Sequence, residues 1–281
     1  MSILNVNGLS KAYPSFKLKD VSFSLEPGKI TGFIGRNGAG KSTTLNSLLN
    51  FVHPDSGDIR FFGLPFSEHE LEIKQRIGFV SSGINYYSKK KLKKITAVTR
   101  CFYNNWDDAA YRKYLSLFAL DENKTPSELS AGMKVKYALA LAMSHNAELL
   151  ILDEPTSGLD PVSRDELLDN FMTLCDEGKT ILFSTHITSD LDNCADSIIY
   201  IKEGRIIAEK PIKDFVGGYR EIEFTEGQLS PELEALTIGK RRIRDGFTAL
   251  INASDTAKFN VQYKDADLES CMVHLDKEAD L

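Results

Sequence analysis

Cysteine and proline are scarce, at four and nine in 281 residues. Cys101, Cys175, Cys194 and Cys271 lie far apart, with no CxxC pair and no metal-ligand spacing. That excludes a disulfide scaffold and a thiolate metal site and fits reduced thiols in a cytoplasmic compartment. No uninterrupted apolar run approaches the ~18 residues of a membrane span, and the opening residues lack a basic segment followed by a long apolar one. The expectation is a chain that neither crosses a membrane nor carries a secretion signal. An excess of positive charge is also missing. The 34 basic residues are outnumbered by 40 acidic ones, for a net charge of -6, which argues against a dedicated duplex-DNA binder and excludes no local basic patch. With 42% hydrophobic and 26% charged residues, collagen-like and disordered classes fall away too.

What is present reads as α/β. Alternation at Val21, Phe23 and Leu25 predicts a strand, Pro27-Gly28 a turn, and Ile30 to Ile34 a second strand running into a glycine-rich loop. A helix follows, with Leu45, Leu48 and Leu49 on one face, ending near His53-Pro54. Strands are expected at Ile59 to Phe62 and Ile77 to Val80. Residues from about 82 to 130 turn Lys-rich and aromatic, with helical spacing over Leu92 to Tyr103 and Asp107 to Leu120, as in an inserted helical subdomain. Leu149-Leu150-Ile151-Leu152 and Thr180 to Ser184 are short continuous runs of the kind covered on both faces of a parallel sheet, and Pro161 to Cys175 between them is helical. Gly217-Gly218 is the best linker. The chain is therefore divided into residues 1–216 and a small α+β unit over 217–281, with a last helix from Asp267.

Gly35-Arg36-Asn37-Gly38-Ala39-Gly40-Lys41-Ser42 satisfies G-x-x-x-x-G-K-[ST] between an expected strand and helix, the context that motif requires. Backbone N–H groups can wrap a polyphosphate only where no Cβ intrudes, and the next helix offers its positive end to the anion. Lys41 would reach the β and γ phosphates, and the Ser42 hydroxyl, followed by Thr43, would ligate Mg²⁺. Asp153-Glu154 ends an apolar strand, where open α/β sheets place ligands. Asp153 would hold Mg²⁺ through water, and Glu154 would polarise the attacking water as general base. Taken alone, such a pair also fits a solvated loop or a helix cap.

Leu129-Ser130-Ala131-Gly132-Met133, Ser157-Gly158-Leu159-Asp160 and Phe183-Ser184-Thr185-His186 follow in order, and with the two motifs above they resemble ATP-binding-cassette (ABC) ATPases from Ile3 to about Val216. The resemblance implies a P-loop nucleotide-binding domain: a mixed sheet, an antiparallel β subdomain and an inserted helical subdomain. It also implies ATP and Mg²⁺ as cofactors. Ser130 and Gly132 would then contact the γ-phosphate of a second cassette, Asp160 would order the contact between cassettes, His186 would bond the γ-phosphate and place the water beside Glu154, and Tyr13 would stack on adenine. Helix caps remain the alternatives for Ser130 and Asp160, a structural histidine for His186 and a surface tyrosine for Tyr13.

Two positions depart from the family pattern. Ser82 stands where Gln is usual, too short to ligate Mg²⁺ without water, and Met133 replaces another Gln. Turnover is expected to persist. Lys89, Lys90, Lys91, Lys93 and Lys94 fit either anionic headgroups or a solvated helix face, and Lys240, Arg241, Arg242 and Arg244 fit either a regulator or nucleic acid, or else a charge-protected strand edge. The resemblance implies an ATP-hydrolysing subunit that powers export through separate integral membrane subunits, peripheral on the inner face of the cell membrane and paired with a second cassette. Nucleic acid is not expected. A soluble cassette acting on ribosomes or DNA and an ATP-gated, non-hydrolysing subunit are the rivals.

Overall fold

A computed structural model describes residues 2–81, 87–258 and 262–278. Along the chain run β1 (Leu4–Ala12), β2 (Lys17–Leu25), β3 (Ile30–Ile34), α1 (Lys41–Leu48), β4 (Ser56–Phe61), β5 (Leu64–Pro65), α2 (Phe66–Gln75) and β6 (Ile77–Ser81). The middle third holds α3 (Leu92–Thr99), α4 (Asp108–Leu117), α5 (Ala131–Ser144), β7 (Leu149–Asp153), α6 (Pro161–Asp176), β8 (Thr180–Thr185) and α7 (Thr188–Cys194). After these come β9 (Ser197–Lys202), β10 (Arg205–Pro211), α8 (Ile212–Gly217), β11 (Tyr219–Phe224), α9 (Pro231–Glu234), β12 (Ile238–Ile243), β13 (Gly246–Asn252), β14 (Tyr263–Asp265) and α10 (Leu268–Lys277).

Among the described residues three sheets result. The central one has the order β10-β9-β3-β8-β7-β6, with β9, β3, β8, β7 and β6 parallel and β10 antiparallel to β9. Every residue of β3, β7 and β8 is buried, which explains why these strands read as unbroken apolar runs. Each fully buried Leu, Ile or Phe there contributes roughly 1.5–3 kcal/mol over exposure. A second sheet, β2-β1-β4-β5, is antiparallel. β4 starts three residues before the expected Ile59, because Gly57 at φ 118° lets the strand lie close against the Leu9 backbone.

Between β6 and β7 the described residues are helical. Asp107 caps α4, accepting from the N–H groups of Ala109 and Ala110 at 2.7 and 3.1 Å. The expected Leu92–Tyr103 helix is α-helical only to Thr99, and Arg100–Phe102 tighten into a 3-10 turn. Ser82 lies outside the described residues, and Met133 packs partly buried against the main core.

The third sheet, β12-β13-β11-β14, is antiparallel. Gly217 closes α8, and Gly218 alone separates it from β11. Ile222, Phe224, Leu233, Ala249 and Ile251 make a small core of their own, whereas Leu250, Leu268, Cys271 and Leu275 belong to the same core as Leu150, Leu152 and Phe183. α10 therefore joins this sheet to the rest. β12 is an edge strand carrying Lys240, Arg241 and Arg242, and Lys240 lies over the Phe247 ring at 4.4 Å. Of the four cysteines Cys101 is exposed and Cys271 buried. Burial pushes the Cys194 and Cys271 thiols up to about 12.

His145, at the end of α5, is buried, stacks on Tyr103 at 3.7 Å and has its Nδ1 3.1 Å from the Gln75 carbonyl. Desolvation pushes its pKa from 6.5 down to about 4, so the folded ring stays neutral where the unfolded one binds a proton. Stability is then complete above pH 6.5 and is lost as pH falls toward 4, by on the order of 3 kcal/mol for this group. Denaturant titrations of wild type and His145→Phe between pH 4 and 7 should show this slope in the wild type and a flatter one in the variant.

Candidate functional site

Strand register makes the site. Ile34 pairs with Thr185 and Asp153 with Ser184, so Gly35, Glu154 and His186 leave the central sheet level with one another, at the carboxyl ends of parallel strands. The loop from Gly35 runs into α1 with Gly38 at φ 84° and Gly40 at φ 114°. A Cβ on Gly40 would stand 2.8 Å from the Phe16 ring and 2.7 Å from Leu18. The loop is held from behind, the Gly204 N–H donating to the Ala39 carbonyl at 3.0 Å.

Lys41 turns back over this loop with 5% of its side chain exposed. Its Nζ donates to the Gly35 carbonyl at 2.7 Å and lies 3.4 Å from the Arg36 carbonyl and 3.3 Å from Glu154 Oε1. Ser42 Oγ donates to Asp153 Oδ1 at 3.1 Å, and Ser184 Oγ donates to the same oxygen at 2.7 Å while accepting the Glu154 N–H at 2.9 Å. Glu154 adopts φ 52°, a left-handed conformation that costs a non-glycine residue of order 1–3 kcal/mol and persists where neighbours fix it. Its Oε2 meets His186 Nδ1 at 2.8 Å.

Lys41, Ser42, Glu154 and His186 border one open cleft of about 690 Å³, lined also by Tyr13, Phe16, Arg36, Asn37, Gly38, Gly40, Thr43 and Ser157 among others, while Asp153 and Ser184 are buried behind Ser42 and Glu154. The donor set suits a magnesium nucleotide. Positive-φ Gly38 and Gly40 keep those two points of the loop clear of side chains, and Ser42 and Asp153 supply hard oxygen atoms of the kind Mg²⁺ prefers. Among the described residues no cluster of three or more His, Cys, Asp or Glu could hold a metal ion alone.

Ser130, Gly132 and Asp160 do not line this cleft. Ser130 is exposed and caps α5, accepting the Met133 N–H at 3.2 Å, and Gly132 is buried against Leu159. Asp160 caps α6 through the N–H groups of Val162 and Ser163 at 3.1 and 3.0 Å. The Ser163 hydroxyl holds its carboxyl below the usual range. No helix among the described residues is long and apolar enough to cross a membrane.

A phosphate loop on a parallel sheet, with an antiparallel sheet beside it and helices inserted before β7, is the architecture of an ABC-type ATPase domain. The comparisons agree. The ABC transporter sequence profile matches residues 18–157. The bacitracin transport ATP-binding protein BcrA of Bacillus licheniformis is 33% identical over 241 residues, covering 84% of this chain and 78% of its own. The Nod factor export ATP-binding protein I of Burkholderia lata is 38% identical over 194 residues, which span 67% of this chain and 64% of that protein. A solved ATP-binding subunit of an ABC transporter superposes with a TM-score of 0.69 at 28% identity, over 76% of this chain and 92% of that one. The chain belongs to the ABC transporter family.

Sequence reasoning missed Phe16 and Ser184. Phe16 lies three residues past Tyr13 and was hidden by a turn in which the Tyr13 N–H donates to the Phe16 carbonyl at 2.7 Å. Ser184 sat inside a quoted motif, yet only β7–β8 register brings it against Asp153. Ser184→Ala removes the donor that orients Asp153 and the acceptor that fixes the Glu154 backbone. Phosphate release should fall 10- to 100-fold, the usual cost of losing such a supporting group, with ATP affinity changed less. Steady-state turnover and nucleotide titration check both.

Proposed function

We propose that this chain powers export through separate integral membrane subunits, with ATP clamping it against a second cassette. One observation carries the reading. Lys41, Ser42, Asp153, Glu154 and His186 converge by direct contacts at one cleft, whereas the exposed Ser130 and the tip of α5 lie apart from it. A site assembled in this way is half of a whole, and Ser130 with Gly132 would complete the cleft of a neighbour through a helix N-terminus. Asp160, at the start of α6, would border the same junction. Export is favoured over work on ribosomes or DNA because the named relatives are transport and export proteins. Attachment at the inner face of the cell membrane follows from such partners.

Within the cleft, Tyr13 would stack on adenine, the Gly35–Gly40 backbone with Arg36, Asn37 and Ala39 would wrap the phosphates, and Lys41 would leave Glu154 for the β and γ oxygens. Ser42, backed by Thr43, and Asp153 would hold Mg²⁺, which supplies charge neutralisation on the phosphates. Glu154 would accept the proton of the attacking water, and His186, already 2.8 Å from that carboxylate, would align water and γ-phosphate. The division into a cassette over 1–216, with its helical part at about 82–130, and a small C-terminal domain over 217–281 belongs to the same proposal.

Glu154→Gln keeps the binding contacts and removes the base. Phosphate release should fall at least 100-fold, and at saturating Mg-ATP the variant should run as a dimer by light scattering. A variant that binds Mg-ATP and remains monomeric removes Ser130 of a second copy as the capping group.

A further inference from the structure

The phosphate loop touches a part of the chain that the site described above does not use. Arg36, the second residue of the loop, has 74% of its side chain exposed, and its Nη1 donates to Asp276 Oδ2 at 2.7 Å. Asp276 lies in the last turn of α10. A second link runs behind the loop. Lys202 Nζ donates to the Leu275 carbonyl at 2.9 Å and to the Glu278 carbonyl, closing the C-terminal end of α10. Lys202 also leads directly into the turn whose Gly204 N–H holds the Ala39 carbonyl. Arg36, Asn37, Gly38, Lys202 and Asp276 share a cleft of about 570 Å³ that adjoins the nucleotide cleft and has Tyr13 in common with it.

We infer that α10 is an electrostatic latch on the phosphate loop, one that ATP must loosen in order to bind. The inference rests on the reading of the neighbouring cleft as the ATP site. Two effects share a sign. The triphosphate carries several negative charges against one on Asp276, so it draws Arg36 away from a carboxylate that holds it only through an exposed pair, a weak interaction in water. The same charge repels both Asp276 and the negative C-terminal end of the helix. What nucleotide does to α10, α10 does to nucleotide in equal measure, so a docked helix lowers ATP affinity and a displaced one raises it. The unit formed by β11–β14 and α10 thereby gains a route to the site, and anything that pulls this unit outward favours the ATP-bound cassette.

Titration of the full chain with Mg-ATP and a turnover assay test this. Asp276→Asn keeps the shape and removes the charge. It should tighten ATP binding and lower KM about two- to five-fold, the range an exposed ion pair spans, while kcat stays unchanged. In an Arg36→Ala background the same substitution should give a smaller gain, since the pair is already broken. Amides of α10 should exchange faster with solvent when the wild type is saturated with Mg-ATP. Unchanged or weaker ATP binding in Asp276→Asn, with a wild-type circular dichroism spectrum, overturns the latch, and so does α10 exchange that slows or stays constant with ATP. Failure of the wild type to bind Mg-ATP at all would instead strike at the assignment of the cleft.

Discussion

An ammonium group almost wholly removed from water governs the architecture around it. Isolated, such a charge is costly to bury, and Lys41 is tolerated because the Gly35 carbonyl and the Glu154 carboxylate both reach it. Those two partners come from different strands, β3 and β7, which are not neighbours in the sheet, since β8 lies between them. Their ends must therefore be level, and the parallel register makes them so. Glu154 takes its left-handed backbone in order to face the lysine and His186 together. Loop, acid and histidine are in this sense one unit, neutralised internally and ready to exchange partners with a triphosphate.

How much of this could be read from residues alone depends on how local each cause is. β3, β7 and β8 were legible because burial on both faces leaves an apolar run, and α10 because Asp267 supplies its cap, accepting the Ser270 N–H at 2.7 Å. β1 escaped notice, its Asn5, Asn7 and Ser10 blurring the alternation. In the site, Lys41, Ser42, Asp153 and Glu154 announced themselves by motif, and Tyr13 and His186 by resemblance to a family. Ser184 did not, since its importance lies in cross-strand register. Still less could any local pattern pair Arg36 with Asp276, 240 positions apart.

The carboxyl-terminal segment is joined to the rest of the fold unevenly. Its sheet has a private core around Ile222 and Ile251, while α10 is sunk in the common one through Leu268, Cys271 and Leu275. Lys240 of β12 is engaged by Glu234 at 3.2 Å and by the Phe247 ring, so the basic run is in part a packed surface rather than a free cluster. The edge position of that strand agrees with charge as protection against unwanted pairing.

Burial grades the four thiols, from exposed Cys101 through partly buried Cys175 and Cys194 to buried Cys271. Cys194 and Cys271 are held protonated by desolvation and Cys175 is raised in the same way, whereas Cys101 stands exposed on the turn after α3. A maleimide dye offered to the native chain would thus attach first at Cys101, among the inserted helices, giving a fluorescence reporter of their movement without engineering a cysteine.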